Sequence, residues 1–432
     1  MDGLSSISHP LLEELLKHPD LDVVTPSSPY WTSIRATYIA DNPARPIAIA
    51  RPQSIEEVAT FVRAARSHSV KLSVRPGGRD AFGRSTVDGA LVVDMRSIKS
   101  IEVSQDRKTA TVGGGVLNGD LITELSRHGL VTPFGYAGAI GYPGWAMMGG
   151  YGWLAPNVGL GVDQIVSARV VNWKGEVLEA DAELLKGIRG AGGNFGMIVE
   201  LGVKVYELKS FLAGPIMFNS TNIKETLRRY FQGYNAMTKS PYGAVSPFAF
   251  PHPERGWTFT VNFAWSSPDM EAEKPEWIEF FVPLTPTGPD ADNAVSFQNL
   301  SEKTVDVIAD YMSTPPADAA NVFLIREMRG PSAEQNPHSC FGPRSPHFVL
   351  ELVGVTTNES HVDASRKKIR DFFEALKATG EAMDATYVSM TQDRDTNISQ
   401  CFGDDWPFVL ELKEKYDPEG IFDAAVPRLK RV

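Results

Sequence analysis

Apolar positions in the first 207 residues follow two alternating periods. Short runs of apolar, mostly β-branched residues predict strands at 46–50, 71–75, 90–94, 101–104, 109–112, 165–171 and 176–178. Apolar spacings of three and four residues predict helices at 10–16, from Ser54 to about His68, and through Leu121, Leu125 and His128. Ser54 and Glu57 form the capping-box pattern of a helix start. Because hairpins are mixed with strands that alternate with helices, the pattern predicts an α+β fold and not a doubly wound sheet.

From about Leu208 the pattern changes, and prolines and aromatic residues become dense. Alternating strands are predicted at 257–263 and 348–355, and they are interleaved with predicted helices at 223–234, 302–311 and 361–376. Such alternation is typical of an antiparallel sheet with one buried face and a second face that covers something else. A last helix is predicted from Trp406, and Pro418 ends it.

Length and composition exclude several classes of protein. A chain of 432 residues is too long for one compact core, so two domains are expected. The formal net charge of −11 argues against a nucleic-acid surface. Cys340 and Cys401 are too few for a disulfide framework, and we expect separate buried thiols; no histidine pair has metal-ligand spacing. Without a signal-peptide pattern or a run of roughly 18–20 apolar residues, a cytoplasmic location and no membrane contact are expected.

Two glycine-rich loops stand out, at 74–80 and at 138–152. Glycine lets the backbone adopt positive φ and approach a ligand closely, and successive N–H groups in such turns form a concavity that binds anions. For one loop alone, tight turns would explain the glycines. Two loops within one segment favour a large phosphate-bearing cofactor that lies along the backbone.

The order of several motifs carries a family resemblance. The motifs are Arg51-Pro-Gln-Ser-Ile-Glu-Glu-Val58, Val74-Arg-Pro-Gly-Gly-Arg79, Leu91-Val-Val-Asp-Met95 and Gly149-Gly-Tyr-Gly-Trp-Leu154, with later matches at 187–199, 401–406 and 415–418. In these residues the chain resembles the vanillyl-alcohol-oxidase/p-cresol-methylhydroxylase (PCMH-type) flavoproteins. Among them it is most similar to the berberine-bridge-enzyme-like oxidases. The resemblance covers nearly the whole chain and is most specific in the first half.

The resemblance implies a two-domain flavoprotein that uses FAD. Residues 1–207 would form the FAD-binding domain, residues 208–395 the substrate-binding domain, and residues 396–432 a C-terminal segment that returns to the FAD domain. The flavin ring would then lie at the interface between the domains, which is a common position for cofactor sites.

The same resemblance implies a set of cofactor-binding residues. Around the pyrophosphate it places Arg75, Pro76, Gly77, Gly78, Arg79 and Asp80. Along the diphosphate and the flavin it places Gly138, Gly141, Tyr142, Gly144, Trp145, Gly149, Gly152 and Trp153, with Tyr142 and Trp145 as packing or flavin-stacking residues. Val199 would meet the adenine or ribose, and Phe402 and Gly403 the flavin ring.

Two departures from the family pattern concern the attachment of the flavin. Relatives usually carry a flavin-linking histidine where this chain has Arg79, and some carry a linking cysteine where it has Ala137. A guanidinium cannot replace an imidazole as the linking nucleophile. We therefore expect non-covalent FAD, with Arg79 paired to a phosphate or to the flavin's pyrimidine side, or else solvated.

A flavin oxidase needs a base that takes a proton from the substrate as hydride leaves. Relatives often use a Tyr or Glu that projects from the sheet of the substrate domain. The candidates in this chain are Glu327, Glu351 and Tyr387, together with Arg344 and His347, whose segment faces the flavin in relatives. For each of these residues a purely structural role is the alternative.

The expected function is an FAD-dependent oxidase that acts on a small-molecule substrate. It would oxidise an alcohol, an amine or an activated C–H of a mid-sized apolar specialised metabolite, with molecular oxygen as acceptor. The dense aromatic residues of the second half favour an apolar substrate. One alternative is redox-neutral isomerisation, dehydration or cyclisation with FAD structural or absent, and another is a non-catalytic binding protein.

Overall fold

A computed structural model describes residues 9–38, 42–80, 82–218, 222–252, 256–281, 296–297, 300–312, 322–353, 362–385, 387–390 and 397–429. Its strands are β1 (Val23–Val24), β2 (Ala48–Ala50), β3 (Leu72–Arg75), β4 (Leu91–Asp94), β5 (Ile101–Val103), β6 (Thr109–Gly113), β7 (Leu130–Val131), β8 (Ile165–Val171), β9 (Val177–Glu179), β10 (Met197–Lys204), β11 (Tyr206–Glu207), β12 (Leu212–Met217), β13 (Gly243–His252), β14 (Gly256–Trp265), β15 (Ser296–Phe297), β16 (Val322–Met328) and β17 (His347–Val353). Its α-helices are α1 (Pro10–Leu15), α2 (Trp31–Arg35), α3 (Ile55–Ser67), α4 (Asn118–Arg127), α5 (Tyr142–Met147), α6 (Ala155–Val158), α7 (Gly161–Gln164), α8 (Ala182–Ala191), α9 (Ile223–Ala236), α10 (Lys274–Phe281), α11 (Glu302–Met312), α12 (Val362–Lys377) and α13 (Trp406–Tyr416). The predicted α+β class is confirmed.

The first sheet has the order β1-β2-β4-β3, with β2, β4 and β3 parallel. Helix α3 covers it with the apolar face predicted from its spacing, since Val58, Phe61 and Val62 are fully buried. The side chain of Ser54 accepts the N–H of Glu57 at 3.2 Å, as a capping box requires. The Glu57 carboxylate, however, accepts the N–H of Gln53 at 2.9 Å, so the reciprocal half of the box is shifted by one residue.

The second sheet is antiparallel, in the order β5-β6-β10-β8-β9, and contains both predicted hairpins. The end of the chain packs against these first two sheets. Ile421 accepts the N–H of Leu72 at 2.9 Å, and Asp417, which follows α13, accepts the N–H of Ile421 at 2.9 Å. The predicted boundaries after residues 207 and 395 stay a prediction; residues 391–396, next to the second boundary, lie outside the described residues.

The third sheet is antiparallel and has the order β12-β14-β13-β16-β17-β15. One face is covered by α9, α11 and α12 and contributes Phe259, Ile325 and Leu350 to a core. The other face turns toward the first half, where Met328 and Val349 pack with residues of the second glycine loop and α7. The two-faced antiparallel sheet expected from alternation is thus present; residues 354 and 355 of the last predicted strand lie outside the described residues.

Both cysteines are buried thiols outside any disulfide, as expected. Burial raises the pKa of the Cys340 thiol to about 12, and its Sγ lies 3.3 Å from the carbonyl oxygen of Gly187. Among the described helices, none combines the length and the apolar character needed to cross a membrane. The cytoplasmic location stays a prediction.

Candidate active site

The two glycine loops touch each other through their backbones. A β-carbon on Gly77 would lie 2.6 Å from the backbone nitrogen of Gly141, and one on Gly141 would lie 2.8 Å from Cβ of Pro76. Gly78 has a φ of 67°, and its carbonyl oxygen accepts the N–H of Tyr38 at 2.9 Å. Only glycine permits this approach, because any larger residue at either contact would push the loops apart. The loops therefore form one continuous backbone surface.

The first loop uses its two arginines differently. Arg75 is 1% exposed, and its Nη2 donates to Asp94 Oδ2 and to the carbonyl of Ile34, each at 2.7 Å. Arg79 is exposed, with its guanidinium carbon 4.5 Å from the centre of the Tyr38 ring. The guanidinium of Arg75 is therefore paired inside the protein, contrary to the expectation that it contacts a pyrophosphate. Arg79 is the arginine that presents its charge to the loop surface.

The Asp80 carboxylate is also paired inside the protein. Its partner is Arg84, which was not selected from the sequence. Asp80 Oδ2 accepts Arg84 Nη2 at 2.8 Å, and Asp80 Oδ1 accepts the N–H of Phe82 at 3.0 Å. Arg84 Nη2 also donates to the carbonyl of Ser389 at 2.9 Å. Arg84 thereby links the first loop to the segment that carries Tyr387. Asp80 and Arg84 lie in a loop and not on a helix, so their spacing of four residues gave no signal of this pair.

The second loop contains the short helix α5 instead of an open turn. Tyr142 is fully buried in it, and Trp145 donates from Nε1 to the carbonyl of Tyr151 at 3.1 Å. Both residues therefore pack in the core, which was one of the two roles expected for them. Trp153 is half-buried and lies edge-on to Tyr136, with ring centres 4.6 Å apart.

Several glycines of the second loop serve close packing. A β-carbon on Gly149 would meet the Phe341 ring at 2.8 Å, and one on Gly152 would lie 2.0 Å from the carbonyl oxygen of Phe134. Gly138 accepts the N–H of Gly119 at 2.9 Å. These contacts explain why glycine occupies these positions without any role in binding a cofactor.

The remaining predicted cofactor residues lie at the edges of this region. The ladder between β10 and β8 shifts its register between Ile198 and Glu200, so Val199 stands in a bulge, and its carbonyl accepts the N–H of Gly114 at 2.8 Å. Phe402 is buried and stacks on Trp406 at 5.8 Å, whereas the next residue, Gly403, is exposed with a φ of 55°. Their contacts with a cofactor stay predictions.

The inward face of the third sheet brings charged and phenolic groups to the second loop. Arg326 Nη2 lies 2.6 Å from Glu351 Oε2, and the Arg326 guanidinium carbon lies 4.0 Å from the centre of the Tyr136 ring. The rings of Tyr387 and Tyr151 are 4.4 Å apart. Burial raises the pKa of Tyr387 to about 12 and also raises the pKa of Tyr136 and Tyr151, so these phenols are neutral at physiological pH.

Some buried polar atoms of this cluster have unmet hydrogen-bonding capacity. Among the described residues, no hydrogen-bond partner reaches Glu351 Oε1, Arg326 Nε or the hydroxyl of Tyr151. Glu351 is completely buried. Leaving buried polar groups unpaired is costly, and native proteins nearly always pair them. The cluster is therefore suited to receive the polar groups of a ligand.

Glu327 was predicted as a catalytic candidate, but it projects from the opposite face of the sheet. It is adjacent to Arg326 in β16, and successive strand residues point to opposite faces. Its carboxylate accepts the Tyr234 hydroxyl of α9 and, at 2.9 Å, Nε of Arg329. Glu327 thus belongs to the helix-covered layer and is not a candidate base.

Arg344 holds the two halves of the molecule together. Its Nη1 and Nη2 donate to the two carboxylate oxygens of Asp163 in α7 at 2.8 and 2.7 Å, and its side chain is 1% exposed. Asn336 donates to the same carboxylate at 3.0 Å. A bidentate pair of this kind fixes orientation strongly. Arg344 is therefore a structural clamp, which corrects its predicted catalytic role.

His347 lies at the first position of β17, on the inward face opposite Met328. Its Nδ1 is 2.7 Å from the carbonyl oxygen of Ser345, and no described residue pairs with its Nε2. Burial lowers the pKa of His347, so the neutral imidazole is favoured. The structure brings Glu351 and Tyr387 to the loop region and leaves His347 at its margin.

Sequence comparisons agree with this architecture. A family model described as an FAD binding domain matches residues 46–181. The chain is 33% identical to the FAD-linked oxidoreductase aurO of Gibberella zeae, in an alignment that covers 94% of this chain and 85% of that protein. It is 37% identical to the (R)-6-hydroxynicotine oxidase of Paenarthrobacter nicotinovorans over 52% of this chain and 50% of that enzyme.

Solved structures show the same fold. A wild-type berberine-bridge-enzyme-like (BBE-like) protein, BBE-like 1 of Physcomitrella patens, superposes with a TM-score of 0.81 at 19% identity, covering 97% of this chain and 99% of that one. The 6-hydroxy-D-nicotine oxidase of Arthrobacter nicotinovorans superposes with a TM-score of 0.82 at 22% identity, covering 95% and 98%. The two-domain flavoprotein fold and FAD as cofactor are thereby confirmed, and the chain belongs to the FAD-linked oxidoreductases with a PCMH-type FAD-binding domain.

Proposed function

We propose that this enzyme oxidises a carbon–hydrogen bond next to a hydroxyl or amine of a mid-sized apolar molecule, with oxygen as acceptor. The observation that carries the proposal is the buried carboxylate of Glu351, whose Oε1 has no partner among the described residues. It stands where the inward face of the third sheet meets the second glycine loop. A carboxylate in that place is suited to accept the proton of a substrate hydroxyl.

FAD fits the loops of the first half. The backbone surface formed around Gly77 and Gly141 has no room for a β-carbon at the contact, and Arg79 presents an exposed guanidinium beside it. Backbone N–H groups and a guanidinium suit a diphosphate. With Arg79 and Ala137 at the two attachment positions, this chain offers no linking side chain there, so we propose that FAD is held without a covalent bond.

In the proposed reaction Glu351 accepts the hydroxyl proton of the substrate. When bound, FAD would supply the acceptor for the hydride of the adjacent carbon; that hydride and the proton taken by Glu351 balance the reduction of oxygen to hydrogen peroxide. Arg326, 2.6 Å from Glu351 Oε2, orients the carboxylate so that Oε1 faces the substrate. Tyr387, a neutral phenol at physiological pH, serves as a hydrogen-bond donor and not as the base.

The similarity to a protein named as an oxidase supports oxygen as the acceptor. A specialised-metabolite substrate is an expectation from the family resemblance. The similarity to an FAD-linked oxidoreductase supports redox chemistry over the redox-neutral alternative.

The proposal is tested by anaerobic mixing of the FAD-loaded protein with benzyl alcohol, benzylamine and 2-naphthalenemethanol. Bleaching of the flavin absorbance reports hydride transfer. We expect Glu351→Gln to slow bleaching by about 10²–10⁴-fold, the usual contribution of a general base. Glu327→Gln is the matched control, because Glu327 lies on the opposite face of the same sheet and should leave the rate unchanged. Equal rates for the wild type and Glu351→Gln would rule out Glu351 as the base.

The mode of attachment is tested by acid precipitation of the purified protein. Yellow colour in the supernatant supports non-covalent FAD. Colour that stays with the pellet contradicts the proposed role of Arg79 and Ala137.

A further inference from the structure

One row of side chains crosses the inward face of the third sheet from the site to the solvent. The strand register places Glu351 opposite Leu324, Leu324 opposite Phe248, and Phe248 opposite Thr260. Thr260 is in turn opposite Met217. Directly opposed residues of an antiparallel sheet project from the same face. The five side chains therefore form one line, which we call the access row.

The two ends of the access row differ in burial. Glu351 is 0% exposed, Leu324 and Phe248 are half-buried, Thr260 is 1% exposed, and Met217 at the outer strand is 58% exposed. The row thus runs along one wall of the sheet, from the buried Glu351 to the exposed Met217 at the outer strand.

Two aromatic rings form a platform on this wall. Phe250 follows Phe248 by two residues and so lies on the same face. Their ring centres are 5.9 Å apart with an interplanar angle of 22°. Neighbouring, nearly parallel rings present apolar faces and edges against which another flat ring can pack.

The spacing of the strands sets the size of the molecule that would fit. Neighbouring strands lie about 4.8 Å apart, so Phe248, two strands from Glu351, is roughly 10 Å from it, and Thr260, three strands away, is roughly 14 Å from it. Thr260 is 1% exposed, and its hydroxyl has no partner among the described residues. A second polar group of a ligand would satisfy it.

The charges of this face favour a neutral ligand. Among the described residues of the inward face, Glu351 and Arg326 neutralise each other, and burial keeps His347 neutral. A charged ligand would have no counter-charge of its own on this wall, and burying an unpaired charge is costly.

We infer that the substrate is a neutral, flat aromatic alcohol of about two or three fused rings. Its reacting hydroxyl meets Glu351, its rings stack on Phe248 and Phe250, and a polar group at its far end meets Thr260. This inference rests on the proposed function for the hydroxyl only. The aromatic platform is a separate binding determinant that sets specificity.

The test is an anaerobic titration of the FAD-loaded protein with 2-naphthalenemethanol, benzyl alcohol and cyclohexylmethanol. A shift of the flavin spectrum reports binding, and bleaching separately reports hydride transfer. We expect 2-naphthalenemethanol to bind about tenfold more tightly than cyclohexylmethanol. Phe248→Ala and Phe250→Ala should each weaken its binding about tenfold, Phe248→Tyr should retain it, and cyclohexylmethanol should change by less than about twofold.

Tyr30→Ala is the matched control, because it removes an aromatic ring that is 69% exposed in the first half. Flavin content shows that each variant is folded and loaded. Tight binding of 2-naphthalenemethanol without bleaching would contradict the proposed redox step and still support the aromatic site. Unchanged binding in both phenylalanine variants, or equal affinity of the wild type for the naphthyl and cyclohexyl alcohols, would overturn the inference.

Discussion

At Gly77 and Gly141 the first half builds its part of the site from backbone alone, whereas at Glu351 and Arg326 the third sheet contributes charged side chains. The loops require backbone without side chains at their contact, so glycines that are close together in the sequence are enough to identify them. The sheet needs particular side chains on one face, and that face depends on strand register. A local motif therefore identifies the first region, and only the folded structure identifies the second.

The largest expected effect comes from breaking the charge pair of the sheet. Arg326→Met leaves the Glu351 carboxylate buried without its cation. Removing one partner of a buried pair typically lowers the free energy of unfolding by about 3–5 kcal/mol. Chemical denaturation of the FAD-loaded protein measures it. Arg228→Met is the control, because the arginine of the Arg228–Asp306 pair on the helix layer is over a third exposed, and its loss should change the free energy of unfolding far less. Equal losses in both variants would show that burial of the inward pair has no energetic role.

A smaller effect is expected from adding a side chain to the loop contact. In Gly141→Ala the new β-carbon would lie 2.8 Å from Cβ of Pro76 and 2.9 Å from the nitrogen of Gly77. Overpacking of this kind typically costs about 1–3 kcal/mol. Expressed as FAD affinity, this cost is a loss of roughly 5- to 150-fold. Quenching of flavin fluorescence on binding measures this affinity.

Gly214→Ala in the third sheet provides the control for the loop contact. The nearest atoms to a β-carbon at Gly214 belong to the Phe263 ring at 3.5 Å, an ordinary contact distance. Its FAD affinity should stay within about twofold of the wild type. If Gly141→Ala binds FAD as tightly as Gly214→Ala, the contact between the loops is not part of the cofactor site.

The smallest effect concerns the phenol of Tyr387. Because burial raises its folded-state pKa to about 12, above the ordinary value near 10, its contribution to stability is complete below pH 10 and declines as the pH rises toward 12. At pH 11 the free energy of unfolding of the wild type should be about 1.4 kcal/mol below its value at lower pH, because the unfolded phenol ionises first. Tyr387→Phe should not show this loss. Denaturation curves at pH 9 and pH 11 measure the difference. Parallel curves for wild type and variant would show that Tyr387 titrates as an exposed phenol does.

Much of the fold was predictable because its signals are local. The apolar face of α3, the hairpin of β5 and β6, and the two glycine loops each follow from neighbouring residues. The resemblance extended these signals to the FAD-binding half. The helix α5 inside the second loop was missed, because its glycines read as turns while Pro143 at its start and tertiary packing favour a helix.

The catalytic candidates were only partly predictable. Glu327 and Glu351 look equivalent in the sequence, and alternation of side chains along β16 and β17 separates them. Arg344 looked like a substrate-facing charge, but its partner Asp163 lies 181 residues away in the chain. Arg326 was not selected because nothing near it in the sequence reveals Glu351 as its partner. Long-range pairing of this kind is invisible to local patterns.

The ion pair between Arg66 and Glu419 joins residues that are 353 positions apart, beside the contact of Leu72 with Ile421. During synthesis at about 5–20 residues per second, the ribosome adds the second partner roughly 20 to 70 s after the first. The sheet that carries the first glycine loop therefore completes these contacts only after every strand of the third sheet has been synthesised. The part of the molecule that holds the glycine loops thus depends on residues that the ribosome adds after the whole third sheet.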